Sequence, residues 1–246
     1  MAFRDRYLVA KNGVLALFGN VKAADVEKLL EQKLGAMYPG ELALTNAPTT
    51  PRLTKSKTVR VECDKAQAVL MLGYRGADIS DPDRYVLELI DEASSDMGSR
   101  LFIRIREQMG LAYFVGAGQM QALVPGLFAF YLGTDPERVE EVTAAFLDEV
   151  EELSANGLTE AELTRARKKL IGKQQIANQS NDTFAYMSAL DEIYGLGFDH
   201  YKELEARVNA VTPADIKRVA SKYFGAQPHV LAIVRPPGVR SGTKGK

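Results

Sequence analysis

The run Gly98-Ser99-Arg100-Leu101-Phe102 continues through Ile103-Arg104-Ile105-Arg106-Glu107 to Gly110-Leu111-Ala112-Tyr113. Leu101, Ile105 and Met109 fall in helical register, which predicts a helix over about 99–109 that ends at Gly110. Arg106 lies in its last full turn, so the side chain can reach past the helix end. Tyr113 follows a chain reversal, at the start of a strand-like stretch, and the two side chains can face the same space. A guanidinium holds a fixed fork of donors and a phenol adds one more, a suitable pair for a peptide carbonyl or a carboxylate. The same residues also have a plain structural use. Arginines late in a helix favour the negative end of its dipole, and a tyrosine at a strand start is ordinary.

Other chemistry is thin. Gly116-Ala117-Gly118 sits inside a strand pattern with no helix after it, so it fails the context of a phosphate loop. Close approach of the backbone to a neighbour or a ligand is the better reading, which makes Gly116 and Gly118 candidate substrate contacts. The chain has two histidines, His200 and His229, and neither has a second histidine one helical turn away. A zinc site needs three or four converging ligands, and that set is missing, although Asp191, Glu192 and His200 could approach one another. No metal ligands are therefore assigned. Gly-x-Ser-x-Gly and Walker motifs are absent. Cys63 falls on the apolar side of an alternating stretch and reads as a buried, inert thiol. The acidic residues of 137–152 surround an apolar stripe and read as a solvated face.

The elements that must hold these residues alternate between strand and helix patterns. Val14-Leu15-Ala16-Leu17-Phe18 is a short apolar run closed by Gly19-Asn20, which predicts a strand buried on both faces. A helix follows, with Val26, Leu29, Leu30 and Leu34 on one stripe. Residues 57–63 alternate as a half-buried strand, and 66–74 read as a more deeply buried one. Asp81-Pro82 predicts a helix start. Residues 112–119 and 126–133 predict two further strands. Helices are expected over 137–154, after a Thr159/Glu162 capping box, over 181–195 and 199–209, and from Thr212-Pro213 to Gly225. A last strand covers 230–234.

Composition bounds the class. The 246 residues are 46% hydrophobic and 26% charged, values of a globular chain that exclude wholesale disorder. Thirty-one basic and 32 acidic residues give a net charge of -1, without the basic excess of a nucleic-acid surface. A single cysteine precludes an internal disulfide. No apolar run approaches the ~20 residues of a membrane span. The first twenty residues carry Arg4, Asp5, Arg6 and Lys11 and no signal-peptide core, which leaves bacterial cytoplasm and periplasm both open.

One similarity is internal. Tyr7-Leu8 precedes Val14-Leu15-Ala16-Leu17 at the offset by which Tyr223-Phe224 precedes Val230-Leu231-Ala232-Ile233. A helix end, a turn and a closing strand thus occur twice, as if each copy ended one structural half.

The arginine–tyrosine segment resembles the C-terminal half of the pitrilysin/insulinase-type zinc metallopeptidases, the inverzincins. Asn12-Gly13-Val14-Leu15-Ala16-Leu17-Phe18-Gly19-Asn20-Val21, Gly73-Tyr74-Arg75-Gly76, Gly157-Leu158-Thr159-Glu160 and Thr212-Pro213 fit the same family in order. The resemblance implies an α+β fold with a mostly antiparallel sheet and helices packed on one face. It implies a tail of a preceding homologous domain at 1–40, a linker at 41–56, the C-terminal-type domain at 57–235 and a flexible tail at 236–246. In that family two similar halves close like a clamshell around a peptide, and the zinc motif His-x-x-Glu-His lies in the first. This sequence lacks the motif, so it resembles the non-zinc half, inactive alone, with zinc expected on a partner domain or subunit. By the resemblance Tyr113 donates to the scissile carbonyl or oxyanion, and Arg106 holds the substrate backbone. Alternatives of the same fold are a proteolytically inactive scaffold subunit and a stand-alone peptide-binding module. The strand at 14–18 could also promote self-association.

Overall fold

The computed structural model describes residues 2–41 and 51–238. In chain order the helices are α1 (Ala2–Tyr7), α2 (Ala23–Leu34), α3 (Arg84–Ser94), α4 (Val139–Asn156), α5 (Glu160–Ala177), α6 (Asn181–Ile193), α7 (Leu204–Ala210) and α8 (Pro213–Phe224). The strands are β1 (Lys57–Glu62), β2 (Ala68–Arg75), β3 (Ala112–Met120), β4 (Leu127–Thr134) and β5 (Val230–Arg235). These fall into two compact units. One holds the residues up to Pro48 with Gly172–Glu205; the other holds Thr49–Ile171 and Ala206 onward. Most of the linker expected at 41–56, and most of the expected tail at 236–246, lie outside the described residues.

The larger unit is built on one sheet in the order β1-β5-β2-β4-β3. β1 runs parallel to β5, and the other pairings are antiparallel. The period of two divides β2 cleanly: Ala68, Leu70, Leu72 and Tyr74 are buried, whereas Val69 and Met71 are exposed. Phe128, Phe130 and Leu132 of β4 and Leu231 and Ile233 of β5 join the buried face. Helices α3, α4 and α8 contribute Leu87, Leu89 and Ile90, Val142 and Phe146, and Ile216 and Val219, all buried. Four rings meet at the centre. Phe130 lies 5.1 Å from Phe128, 5.2 Å from Phe224 and 6.4 Å from Tyr74, centroid to centroid. Burial there pushes the Tyr74 phenol up to about 12. The fold is the expected α+β arrangement, with the sheet mostly antiparallel.

Several local starts differ from the sequence expectation. Helix α3 begins at Arg84, not at Asp81-Pro82, because Asp81 Oδ1 accepts from Asp83 N (2.9 Å) and holds a turn ahead of the helix. Asp83, nearly buried, accepts from Arg218 (2.9 Å) and Lys222 (2.6 Å) of α8, and Tyr223 donates to Asp81 (2.9 Å). Burial alone would raise the Asp83 carboxyl, but its two cationic donors outweigh that and hold it below the usual carboxylate range. Strand β1 forms where expected but is not half-buried: Val59 and Val61 lie on the face away from the helices, Val61 is 50% exposed, and every residue of the strand but Val59 is exposed. Cys63, just past its end, is half-buried. The single helix expected over 199–209 is a 3₁₀ turn at His200–Glu203 followed by α7.

In the smaller unit α2 carries the expected stripe, but none of its residues is buried. Residues 14–18 form no strand. No described strand lies alongside them to complete a hydrogen-bonded ladder. Phe18 stacks on Phe184 of α6 at 5.6 Å, and Phe184 meets Tyr201 at 5.5 Å.

Candidate functional site

Ser99, fully buried, starts the arginine helix by accepting from Phe102 N (3.1 Å). From Phe102 to Gln108 the helix is wound as a π-helix, with Ile105 turned into the core. Such wide turns are uncommon and occur frequently at functional sites. They also shift the angular spacing of the side chains, so that the three arginines have different surroundings.

Arg100 makes a bidentate contact with Glu162 (2.9 and 2.6 Å), the carboxylate of the Thr159 capping box. Burial alone would raise the Glu162 carboxyl, but the hydrogen bonds from Arg100 and Thr159 more than reverse this and hold it at about 2. A carboxyl depressed from 4.5 to about 2 stabilises the fold above the ordinary value and loses that contribution as pH falls toward 2. Glu162→Gln can keep the capping box but removes the ion pair with Arg100. Urea unfolding is expected to show a deficit of about 1.5–3 kcal/mol at neutral pH, shrinking progressively below the ordinary carboxylate value.

Arg104 pairs with Glu149, whose side chain is buried in α4. Arg106 differs from both. Its guanidinium lies over the Phe102 ring at 4.8 Å, and among the described residues no carboxylate pairs with it. The cation is therefore exposed and uncommitted.

The turn from Arg106 to Tyr113 is held at both ends. Leu111 N donates to Ile105 O (2.8 Å), closing the helix, while Gly110 takes φ +60. Arg138 Nη1 donates to Gly110 O (2.9 Å), and the buried Thr134 Oγ1 donates to Leu111 O (2.5 Å). No atom lies within 4 Å of a Cβ added at Gly110, so Gly110→Ala meets only the left-handed backbone. A loss of about 1–2 kcal/mol is expected, read as a lowered melting temperature with no change in secondary structure.

Tyr113 sits at an irregularity in the ladder. Ala112 pairs with Thr134 and Phe114 with Gly133, so Tyr113 is an extra residue in a β-bulge of edge strand β3. It is 50% exposed, and its phenol has no hydrogen-bond partner among the described residues. The structure thus leaves both predicted residues, Arg106 and Tyr113, with free donors, on the two sides of one tethered turn.

Gly116 and Gly118 face Tyr131 of the neighbouring β4. A Cβ on Gly116 would lie 2.9 Å from the Tyr131 hydroxyl, and one on Gly118 would lie 3.8 Å from the ring. The close approach expected there is to this neighbour. Tyr131, the bulge, the π-turn and the Arg138 and Thr134 tethers had no signal in the sequence beyond Gly110.

No group of three or more His, Cys, Asp or Glu residues that could hold a metal ion occurs among the described residues. His229 Nδ1 lies 3.3 Å from Ser56 Oγ and from Gln227 O, and His200 lies 3.8 Å from Glu203. The donor set does not fit a catalytic zinc. No described helix is long and apolar enough to cross a membrane.

The sequence profile of the peptidase M16 inactive domain matches residues 1–170. An uncharacterized zinc protease of Streptomyces coelicolor is 31% identical over 232 residues, covering 91% of this chain and 50% of its own length. Another from Bacillus subtilis is 24% identical, covering 94% of this chain and 56% of its own length. The chain therefore spans about half the length of these relatives. The crystal structure of a peptidase M16 inactive domain from Pseudomonas fluorescens has the same fold, with TM-score 0.80 and 24% identity over 91% of this chain and 53% of that one. The periplasmic protease PqqL of Escherichia coli also shares it, with TM-score 0.72 and 19% identity over 89% of this chain and 24% of that one. On the profile match, which spans well over half of its residues, the chain belongs to the peptidase M16 family, as one of its inactive domains.

Proposed function

We propose that this chain is the substrate-clamping, non-catalytic half of a zinc metalloendopeptidase acting on peptides. One observation carries the reading most. Of the three arginines at 100, 104 and 106, two are tied to buried or half-buried carboxylates; Arg106 pairs with none among the described residues, and across the same turn a bulge has taken Tyr113 out of the ladder. Free donors held on a rigid turn suit a substrate more than a fold. Arg106 would grip a peptide carbonyl, and the Tyr113 hydroxyl would donate to the oxygen on which negative charge develops. The metal would come from a His-x-x-Glu-His domain, fused or separate, because this chain's own residues do not fit it.

The sheet face away from the helices supports enclosure of a peptide. Val69, Met71, Phe114, Met120 and Leu127 are exposed on it, and Gly116 and Gly118 keep it low beside Tyr131. Those glycines would let an extended peptide backbone come close.

The test is reconstitution. The chain is mixed with its zinc-bearing counterpart, and cleavage of a quenched fluorescent peptide library is followed with and without a zinc chelator. The expected result is cleavage that requires both components and stops on chelation. Cleavage by the zinc-bearing domain alone at the same rate would reduce this chain to a scaffold.

A further inference from the structure

Helices α3, α4 and α8 cover one face of the sheet. Pairing brings Val61, Val69, Met71, Phe114, Leu127 and Met120 to the other face, and all six are exposed. The remaining strand residues in register with them are apolar or glycine, apart from Tyr131 and two cations, Lys57 and Arg75. Among the described residues no carboxylate belongs to this face of the ladder.

The large side chains on it lie flat. A Cβ at Gly133 would fall into the Phe114 ring, and one at Gly116 would lie 2.9 Å from the Tyr131 hydroxyl. A Cβ at Gly73 would lie 3.2 Å from Leu127 Cδ1. Three large side chains thus fill the room that three glycines leave, instead of standing up around a hollow. The result is a low apolar floor without walls to grip one side-chain shape. Hydrophobic attraction is non-directional and scales with the area covered, so such a floor ranks ligands by how much apolar surface they lay on it.

We infer that this face selects which peptides the chain holds: extended segments with apolar side chains at alternate positions and few lysines or arginines. The choice is made by summed apolar area and not by the shape of one residue. The inference rests on reading the chain as the clamping half of a peptidase, and adds the class of peptide. Side chains on the face recur at about 6.7 Å along each strand, the repeat at which alternate side chains leave an extended peptide. A peptide laid along the strands therefore meets the floor with every second residue. The floor is continuous with the arginine–tyrosine turn, because Phe114 directly follows Tyr113. A lysine of the segment would lose water against apolar side chains and meet no carboxylate in return.

The probes are short, labelled synthetic peptides, and binding to the full chain is followed by fluorescence anisotropy. The first alternates leucine with serine. A second has the same composition with its leucines in one block, which halves the number on either side. A third carries lysine at two of the leucine positions, and two more replace leucine by isoleucine or methionine. Each is titrated against wild type, Met71→Lys and Ile176→Lys. Both substituted residues are exposed, and Ile176 lies on α5 in the smaller unit, so melting temperatures are expected to match wild type. The alternating peptide is expected to bind at least about 5-fold more tightly than the block and lysine peptides. Leucine, isoleucine and methionine versions should agree within about 5-fold, since their areas are similar. Met71→Lys should weaken binding at least about 10-fold, and Ile176→Lys should leave it unchanged. No binding, equal binding of the block or lysine peptide, a sharp preference for one apolar side chain, or indifference to Met71→Lys would each overturn the inference. So would a homodimer that Met71→Lys dissociates, because a second copy would then be the occupant. Cleavage that requires this chain yet ignores Met71→Lys would keep the clamp and sink this inference. The expected binding series beside a zinc-bearing domain that cleaves at full rate alone would sink the clamp and leave the peptide class standing.

Discussion

Tyr113→Phe is expected to lower peptide cleavage by the reconstituted protease by about 10²–10³-fold, the usual cost of removing one donor to a developing oxyanion. Substrate binding should change little, so the loss belongs in kcat. The reason is that charge on the carbonyl oxygen grows only as the bond is attacked, and a hydroxyl waiting there acts on the transition state more than on the bound peptide. Arg106→Ala should act on both KM and kcat, because a guanidinium holding the peptide backbone is engaged before and during the reaction. Arg106→Lys should restore only part of the activity, since an ammonium lacks the planar fork. Neither substitution should disturb the fold. Both side chains are exposed, Arg106 contributes only its contact with Phe102, and surface changes of this kind lie within about 0.5 kcal/mol. Steady-state kinetics beside urea unfolding separates the two effects. Wild-type rates in both variants would move the chain to the scaffold reading.

Phe130→Ala is expected to cost about 3–5 kcal/mol of stability, a large share of the 5–15 kcal/mol of a typical domain. Phe130 is fully buried: its ring meets those of Phe128, Phe224 and Tyr74 between the sheet and its helices. Truncation removes apolar burial and leaves a cavity lined by aromatic rings that cannot collapse together. Met71→Ala is the matched control. Met71 lies on the adjacent strand but on the opposite face, 42% exposed, and should cost well under half as much. Equal costs at the two positions would contradict the assignment of the faces.

Much of this molecule was legible before folding. Periodicity located β2, β3, β4, β5 and α4 to within a few residues, because a side-chain period of two or 3.6 is imposed by burying one face and is written into the residues that do it. The capping pairs Thr159/Glu162 and Thr212/Asp215 are local, and both form as their spacing requires. The arginine–tyrosine segment was legible as a helix, a glycine stop and a strand for the same reason. Asp81-Pro82 misled by two residues, because Asp83 and Asp81 answer to Arg218, Lys222 and Tyr223, which lie far away in sequence.

What the sequence by itself determined is the class of the elements, their order, the absence of a His-x-x-Glu-His motif and the two donors placed around Gly110. Only the tertiary structure decided which donors are free. Arg100 and Arg104 look as available as Arg106 until Glu162 and Glu149 arrive from α5 and α4. Tyr113 looks like any strand residue until pairing with β4 leaves it as the extra member of a bulge. The apolar run at 14–18 likewise reads as a strand, yet it forms none, because no described strand lies beside it to pair with. Alternation and capping depend on neighbours a few residues apart, whereas ion pairing, ladder register and strand insertion depend on partners brought together by packing, and those no local pattern records.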